Sequence, residues 1–215
     1  MIVSPGRGYV FVHIPKTAGT AMALALEARA MKDDILVGDT PKARRRKRRL
    51  KGLATTGRLW KHSRLSDIGG LLKPGELERL FAFTLVRNPW DRTVSYYHWL
   101  KGQTFTHEAV RLAQQLDFEA FVLHPHTRAT LAGSPAVAYM RRIDGSEQCA
   151  AYIRIEHLEE DAAPLWAHLG FRLDLPRANA SDRHADYRAY YSDAAAAAIA
   201  SACATDIARF GYTFD

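Results

Sequence analysis

The sequence predicts an α/β fold, a central parallel sheet flanked by helices, and three stretches carry that prediction. Tyr9 to Ile14 (Y-V-F-V-H-I) and Phe81 to Val86 (F-A-F-T-L-V) are apolar runs rich in Val and aromatics with no helical period. Tyr152 to Glu156 (Y-I-R-I-E) alternates. Each gives way to a helix-forming stretch, and strand followed by helix is the repeat from which parallel sheets are built. A length of 215 residues suits one domain, taken as residues 1–215, with a sizeable core.

The first strand ends at Pro15, which cannot donate to a sheet ladder. Lys16, Thr17, Gly19 and Thr20 then offer one cation, two hydroxyls and an unhindered backbone before the helix former Met22 to Met31. The first N–H groups of a helix lack intrahelical partners and carry the positive end of its dipole, so such a loop suits a phosphate or a sulfate. It is not a Walker A loop, in which Lys follows the second Gly directly; here Lys16 precedes Gly19 by three positions. A lysine at an ordinary strand-to-helix turn is the other reading of the same residues.

Lys42 to Lys51 (K-A-R-R-R-K-R-R-L-K) holds eight of the thirty basic residues. The rest of the chain is near neutral, with twenty-two basic against twenty-three acidic residues, so the net charge of +7 is local. This insertion, at about 40–52, is read as a flexible solvated loop or an exposed helix face. The alternative is an electrostatic collar that gathers an anionic acceptor or donor. Nucleic acid is not expected as a partner, because no aromatics interleave with the basic residues.

A short loop then leads to a helix over about 63–72 and to the second strand, after which Arg87 stands where open α/β sheets collect their ligands. A helix starting near Asp91 carries Ser95 and an aromatic face through Lys101. Thr106 to Gln115 and Asp117 to Leu123 read as two helices, the second capped by Asp117. His124 to Gly145, punctuated by Pro and Gly, reads as a long loop suited to recognising an acceptor. His107, His124 and His126 match no standard metal spacing, so no metal is expected. Ser192 caps a last helix, Asp193 to Arg209, that ends at Gly211.

Hydrophobic residues at 47% and charged ones at 25% are ordinary globular values, and no run approaches eighteen apolar residues. The opening M-I-V-S-P-G-R-G-Y lacks the basic and apolar regions of a secretory signal. Cys149 and Cys203 show no C-x-x-C spacing and read as free thiols. The expectation is a soluble cytoplasmic protein without a membrane span.

H-I-P-K-T-A-G-T, followed some seventy residues later by V-R-N-P-W-D-R-T-V-S-Y-Y, resembles the sulfotransferase superfamily on its carbohydrate sulfotransferase branch, in a soluble bacterial form. The resemblance implies a P-loop NTPase-like central sheet and a donor, 3′-phosphoadenosine 5′-phosphosulfate, used without a metal. By position it puts Lys16, Thr17, Ala18, Gly19, Thr20 and Ala21 at the 5′ end of the donor. Arg87 and Ser95 fall on its 3′-phosphate, and Arg92 is a weaker candidate there. K-H-S-R-L is similar to a K-H-A-T-A-like segment, which makes His62 the candidate general base beside catalytic Lys16. The segment P-R-A-N-A-S-D-R resembles one that closes over the donor in some members, bringing in Asn179, Ser181 and Arg183. The implied acceptor is a glycan or another hydroxyl-bearing molecule. Ala21 stands where many relatives have Ser, and Ser63-Arg64 replaces the small residues usual after the base. A P-loop-type nucleotide kinase or hydrolase and a basic nucleic-acid-binding protein are the competing readings.

Overall fold

The computed structural model describes residues 1–176 and 183–215. In chain order its first elements are strands β1 (Ile2–Ser4) and β2 (Tyr9–Val12), helix α1 (Gly19–Ala28), β3 (Ile35–Leu36), α2 (Pro41–Arg46) and β4 (Phe81–Val86). Helices α3 (Pro89–Lys101), α4 (Glu108–Gln115), α5 (Phe118–Leu123), α6 (Pro125–Ala132) and α7 (Ala136–Tyr139) follow. The chain closes with β5 (Ala151–Arg154), α8 (Leu158–Asp161), α9 (Ala163–Leu169), α10 (Asp193–Ala202) and α11 (Ala204–Phe210). It falls into two compact units, Met1–Val86 with Ala136–Asn179, and Arg87–Pro135 with Ala180–Asp215.

The first unit is α/β. Its five strands lie in the order β3-β1-β2-β4-β5. The β2-β4-β5 centre is parallel, with Val12 opposite Thr84 and Val86 opposite Arg154. β1 pairs antiparallel with both β2 and β3, so the sheet is mixed rather than wholly parallel. β2 and β4 read as continuous apolar runs because parallel central strands are covered on both faces. Phe11, Phe83, Leu85 and Ile153 pack in one buried cluster with Met22 and Leu26 of α1 and Leu165 and Trp166 of α9. Complete burial of side chains of this size stabilises by about 1.5–3 kcal/mol each. Thr84, the polar exception in β4, donates its hydroxyl to the Val12 carbonyl at 2.8 Å.

The second unit is helical. Trp90, Val94 and Tyr97 of α3 share a core with Phe118 and Phe121 of α5 and Ile199 of α10. Two of its buried aromatic side chains pair their polar atoms with backbone: Trp90 Nε1 donates to the Ala196 carbonyl at 3.0 Å and the Tyr97 hydroxyl to that of Leu116 at 2.8 Å. Among the described residues no helix is long and apolar enough to cross a membrane.

Several element expectations need correction. The helix expected over 63–72 is a 3-10 turn, Leu65–Ile68, because Gly69-Gly70 follows and Gly70 turns left-handed at φ +85°. The stretch read as a loop from His124 contains α6 and α7. Pro125 begins α6 rather than breaking it, and the His124 imidazole accepts the His126 N–H as a cap. α3 starts at Pro89, capped by the Asn88 side chain, instead of near Asp91. The last helix divides at Cys203, whose φ of −108° and ψ of 19° lie off the helical values. Ser192, Asp117 and Gly211 cap as expected. β1 and β3, at three and two residues, were too short to be read from the sequence.

Candidate functional site

The loop after β2 belongs to the first unit and is built largely from backbone. Lys16 and Ala18 both take left-handed φ values, 64° and 59°. Positive φ in two non-glycine residues two positions apart in the chain marks strain of the sort that collects at ligand-binding turns. Thr17 is buried and donates its hydroxyl to the Ile14 carbonyl at 2.9 Å. That proton closes the loop, so in this conformation the Thr17 side chain does not offer a donor to a ligand. Ala18 is the N-cap of α1 and accepts the N–H groups of Ala21 and Met22. No side chain caps the helix, and no acidic residue stands in its first turn. A ten-residue helix thus begins at Gly19 with neither a side-chain cap nor a first-turn carboxylate to neutralise its positive end. Lys16 and Thr20 are half-buried beside it, Ala18 is exposed, and Ala21 is buried.

Gly19 is needed for close approach, but to a side chain. A Cβ at this position would lie 2.0 Å from His13 Cδ2 and 2.3 Å from Nε2. The His13 ring therefore occupies the space that the missing side chain leaves. It is buried, stacks on Phe11 at 5.9 Å and meets the His62 ring edge-on at 4.6 Å. Burial holds His13 well below the ordinary imidazole range, so it is neutral.

His62 is presented by a turn pinned through Ser63. The fully buried Ser63 hydroxyl accepts the Trp60 N–H and lies 2.9 Å from both the Arg58 and Trp60 carbonyls. His62 Nδ1 lies 2.7 Å from the His13 carbonyl oxygen. A carbonyl only accepts, so Nδ1 carries the proton and Nε2 of the neutral ring keeps its lone pair. Burial pushes the imidazole down to about 4, against the bond to His13, which raises it. Against an ordinary imidazole value of 6.5, the ring is strongly tuned toward its neutral form. Trp60, 48% exposed, stands edge-on to it at 5.1 Å.

In the second unit Arg87, Asp91 and Ser95 fall at four-residue steps, and the latter two share a face of α3. Arg87 places Nε and Nη2 on Asp91 Oδ2 at 2.7 and 2.6 Å. Arg183 reaches the other oxygen, Oδ1, with Nη2 at 2.6 Å. Two arginines predicted from separate motifs are thus joined by one carboxylate. The arrangement keeps a net positive charge, and Arg183 Nη1 is buried without a hydrogen-bond partner among the described residues. Ser95 is buried one turn beyond Asp91. Asn88 caps α3 and also donates to the Thr213 carbonyl at 2.9 Å, which fixes the chain just after Arg87. Asp91 was missed as a site residue; its signal was the four-residue spacing from Arg87. Asn179 and Ser181 lie outside the described residues.

His107 and His124 each accept a backbone N–H at the start of a helix. Among the described residues no three His, Cys, Asp or Glu side chains form a group suited to a metal. Arg154 closes on Asp161 through Nε at 2.7 Å, a structural ion pair in the first unit.

No curated protein and no solved structure matches the chain. A comparison with described protein families matches residues 1–186 to the sulfotransferase family. That stretch includes the strained loop, the turn bearing His62 and the arginine pair on Asp91, and the chain belongs to the sulfotransferase family.

Proposed function

We propose that the chain transfers a sulfuryl group from 3′-phosphoadenosine 5′-phosphosulfate to a hydroxyl of a carbohydrate or glycoconjugate, with residues 1–215 working as one catalytic domain. The observation that carries this reading is the convergence of Arg87 and Arg183 on Asp91, one helical turn from Ser95. Guanidinium forks with a neighbouring hydroxyl suit a terminal phosphate, the group that distinguishes this donor from an ordinary adenine nucleotide. The strained loop and the uncapped start of α1 take the 5′ end, through Lys16, Thr20 and the backbone of residues 17–21.

In the reaction the acceptor oxygen attacks sulfur in line, the S–O bond to the 5′-phosphate breaks, and 3′,5′-adenosine bisphosphate leaves. His62 Nε2 takes the acceptor proton. Its low basicity in the free protein rises when an anionic donor binds nearby, because negative charge favours the imidazolium. Lys16 stabilises the charge that develops on the leaving phosphate, an interaction stronger in the transition state than before it. Cys149 and Cys203 form no disulfide among the described residues, which fits a reducing compartment such as the cytoplasm.

Calorimetric titration with 3′,5′-adenosine bisphosphate and with 5′-AMP tests the reading. The bisphosphate binds more tightly, and Arg87→Ala lowers its affinity by about 10–100-fold while leaving 5′-AMP unchanged, as expected for the loss of charged hydrogen bonds. Equal binding of the two nucleotides would overturn the assignment of the donor.

A further inference from the structure

We infer that His13 is a positioning residue that couples the donor loop to the candidate base: its ring is a water-excluding spacer between the start of α1 and His62, and across it the charge of a bound donor reaches the imidazole. The inference rests on the sulfotransferase reading above and adds a link between loop and base, all of it within the first unit.

His13 touches the two by different parts of one residue. Its main-chain carbonyl oxygen accepts the His62 Nδ1–H at 2.7 Å, which fixes the tautomer and leaves Nε2 as the basic atom. Its ring lies with the Cδ2–Nε2 edge over Gly19, in the space that a side chain there would fill, and meets the His62 ring edge-on at 4.6 Å. Phe11 stacks on it at 5.9 Å, and only 6% of the residue is exposed. Among the described residues neither nitrogen of the His13 ring has a hydrogen-bond partner. A buried histidine with a purely structural role normally pairs its N–H. Here packing alone holds the ring, with the start of α1 on one side and the base on the other.

The charges already around His62 work against its protonation. Lys61 and the buried amino group of Met1, which bonds the Val37 and Lys61 carbonyls, disfavour the imidazolium. Asp39 favours it but is paired with Lys61 at 2.7 Å. Lys16 acts on the His13 ring from the loop, and burial keeps that ring neutral. A donor seated at the uncapped start of α1 brings negative charge to the far side of the His13 ring. Charges attract about fourfold more strongly where the effective dielectric falls from about 80 to about 20, as it does when a ring takes the place of water. His62 therefore gains proton affinity once the donor is in place, and the His13 ring is what lets it respond.

The test follows the His62 imidazole by NMR in the full chain labelled at the histidine ring carbons, with and without saturating 3′,5′-adenosine bisphosphate. Loss of one signal in His62→Asn assigns the resonance. His13→Ala and His13→Gln remove the ring and keep the main-chain carbonyl, so the tautomer of His62 is preserved; His13→Phe restores a ring of similar shape. In the parent the bisphosphate raises the proton affinity of His62 at least about tenfold, one pH unit. In His13→Ala water reaches the imidazole: the free protein binds the proton about tenfold more tightly than the parent, and the bisphosphate adds less than about threefold. His13→Phe returns both quantities to within about threefold of the parent. Melting temperatures check folding, and His13→Gln is read in the same way where the alanine variant does not fold. A purely structural His13 would lower the melting temperature while His62 answered the bisphosphate as in the parent, and that result would overturn the inference. So would a parent in which the bisphosphate binds without moving His62. Absence of any bisphosphate binding by calorimetry would instead overturn the donor reading, and this inference with it.

Discussion

The two anion-suited regions are built by opposite means. In the first unit the loop of Lys16 to Thr20 relies on backbone: two positive φ values, an uncapped helix start and a glycine whose absent side chain makes room for His13. In the second unit Arg87, Arg183 and Asp91 rely on side chains that are charged, largely buried and mutually paired. A backbone site is preorganised by strain and packing, so damage to it comes from altered shape. A charged side-chain site is held by its internal counter-ion, so damage comes from unbalanced charge.

The largest effect separates the two regions at once. Asp91→Ala removes the carboxylate shared by two arginines and is expected to cost about 3 kcal/mol in urea unfolding, the scale for breaking a buried pair. Asp91→Asn, which keeps the volume and one acceptor, should cost less. A loss below about 1 kcal/mol in the alanine variant would mean that solvent screens the cluster, and the contrast with the backbone site would collapse.

His62 supplies the next largest effect, through pH. Its folded value, about 4, lies below the ordinary 6.5, so between these values the unfolded chain binds a proton that the folded one does not. The stabilisation from keeping the ring neutral is complete above pH 6.5 and is lost as pH falls toward 4. Comparing unfolding at pH 7.5 and 4.5, the parent should lose about 2.5 kcal/mol more than His62→Asn. The difference between the two chains isolates this ring from His13, which is shifted the same way. Parallel pH curves would show that His62 titrates normally and that burial does not hold it neutral.

Much of this was legible in the chain because the signals are local. β2 and β4 announce themselves by composition, and Lys16, Gly19 and Arg87 by their place directly after an apolar run. Three things were hidden. The pairing of Arg183 with Asp91 joins residues ninety-two apart, and no local pattern records it. A second role of Gly19 was not visible: its absent side chain makes room for the His13 ring, and only the folded packing shows that. The burial that lowers His62 depends on the His13 carbonyl and on neighbours distant in sequence. The helices α6 and α7 were obscured for another reason, since Pro125 and His124 at a helix start have the composition of a loop.

Gly19→Ala sharpens the backbone side of the comparison. Its methyl group would collide with the His13 imidazole, and overpacking of this kind costs about 1–3 kcal/mol. His13→Ala in the same chain should recover part of that cost, giving a coupling well outside the range of additive sites. Additive losses in the two single variants and the double would place the strain elsewhere in the loop.

The smallest effect is the most specific to backbone. Ala18 holds φ 59° as the cap of α1, a conformation that costs an alanine about 1–2 kcal/mol. Glycine adopts it freely but adds about 0.4–1 kcal/mol of unfolded-chain entropy to be overcome. Because Ala18 is exposed, its methyl group contributes little packing that Ala18→Gly would lose. The variant should therefore be more stable by about 0.5 kcal/mol, a rise of about 1–2 °C in Tm for a chain of this size. The same relief makes the loop less rigid, so donor affinity should fall slightly while stability rises. Movement of both quantities in the same direction would show that the left-handed turn stores no strain, and that the positive end of α1 is held open by side-chain packing instead of backbone.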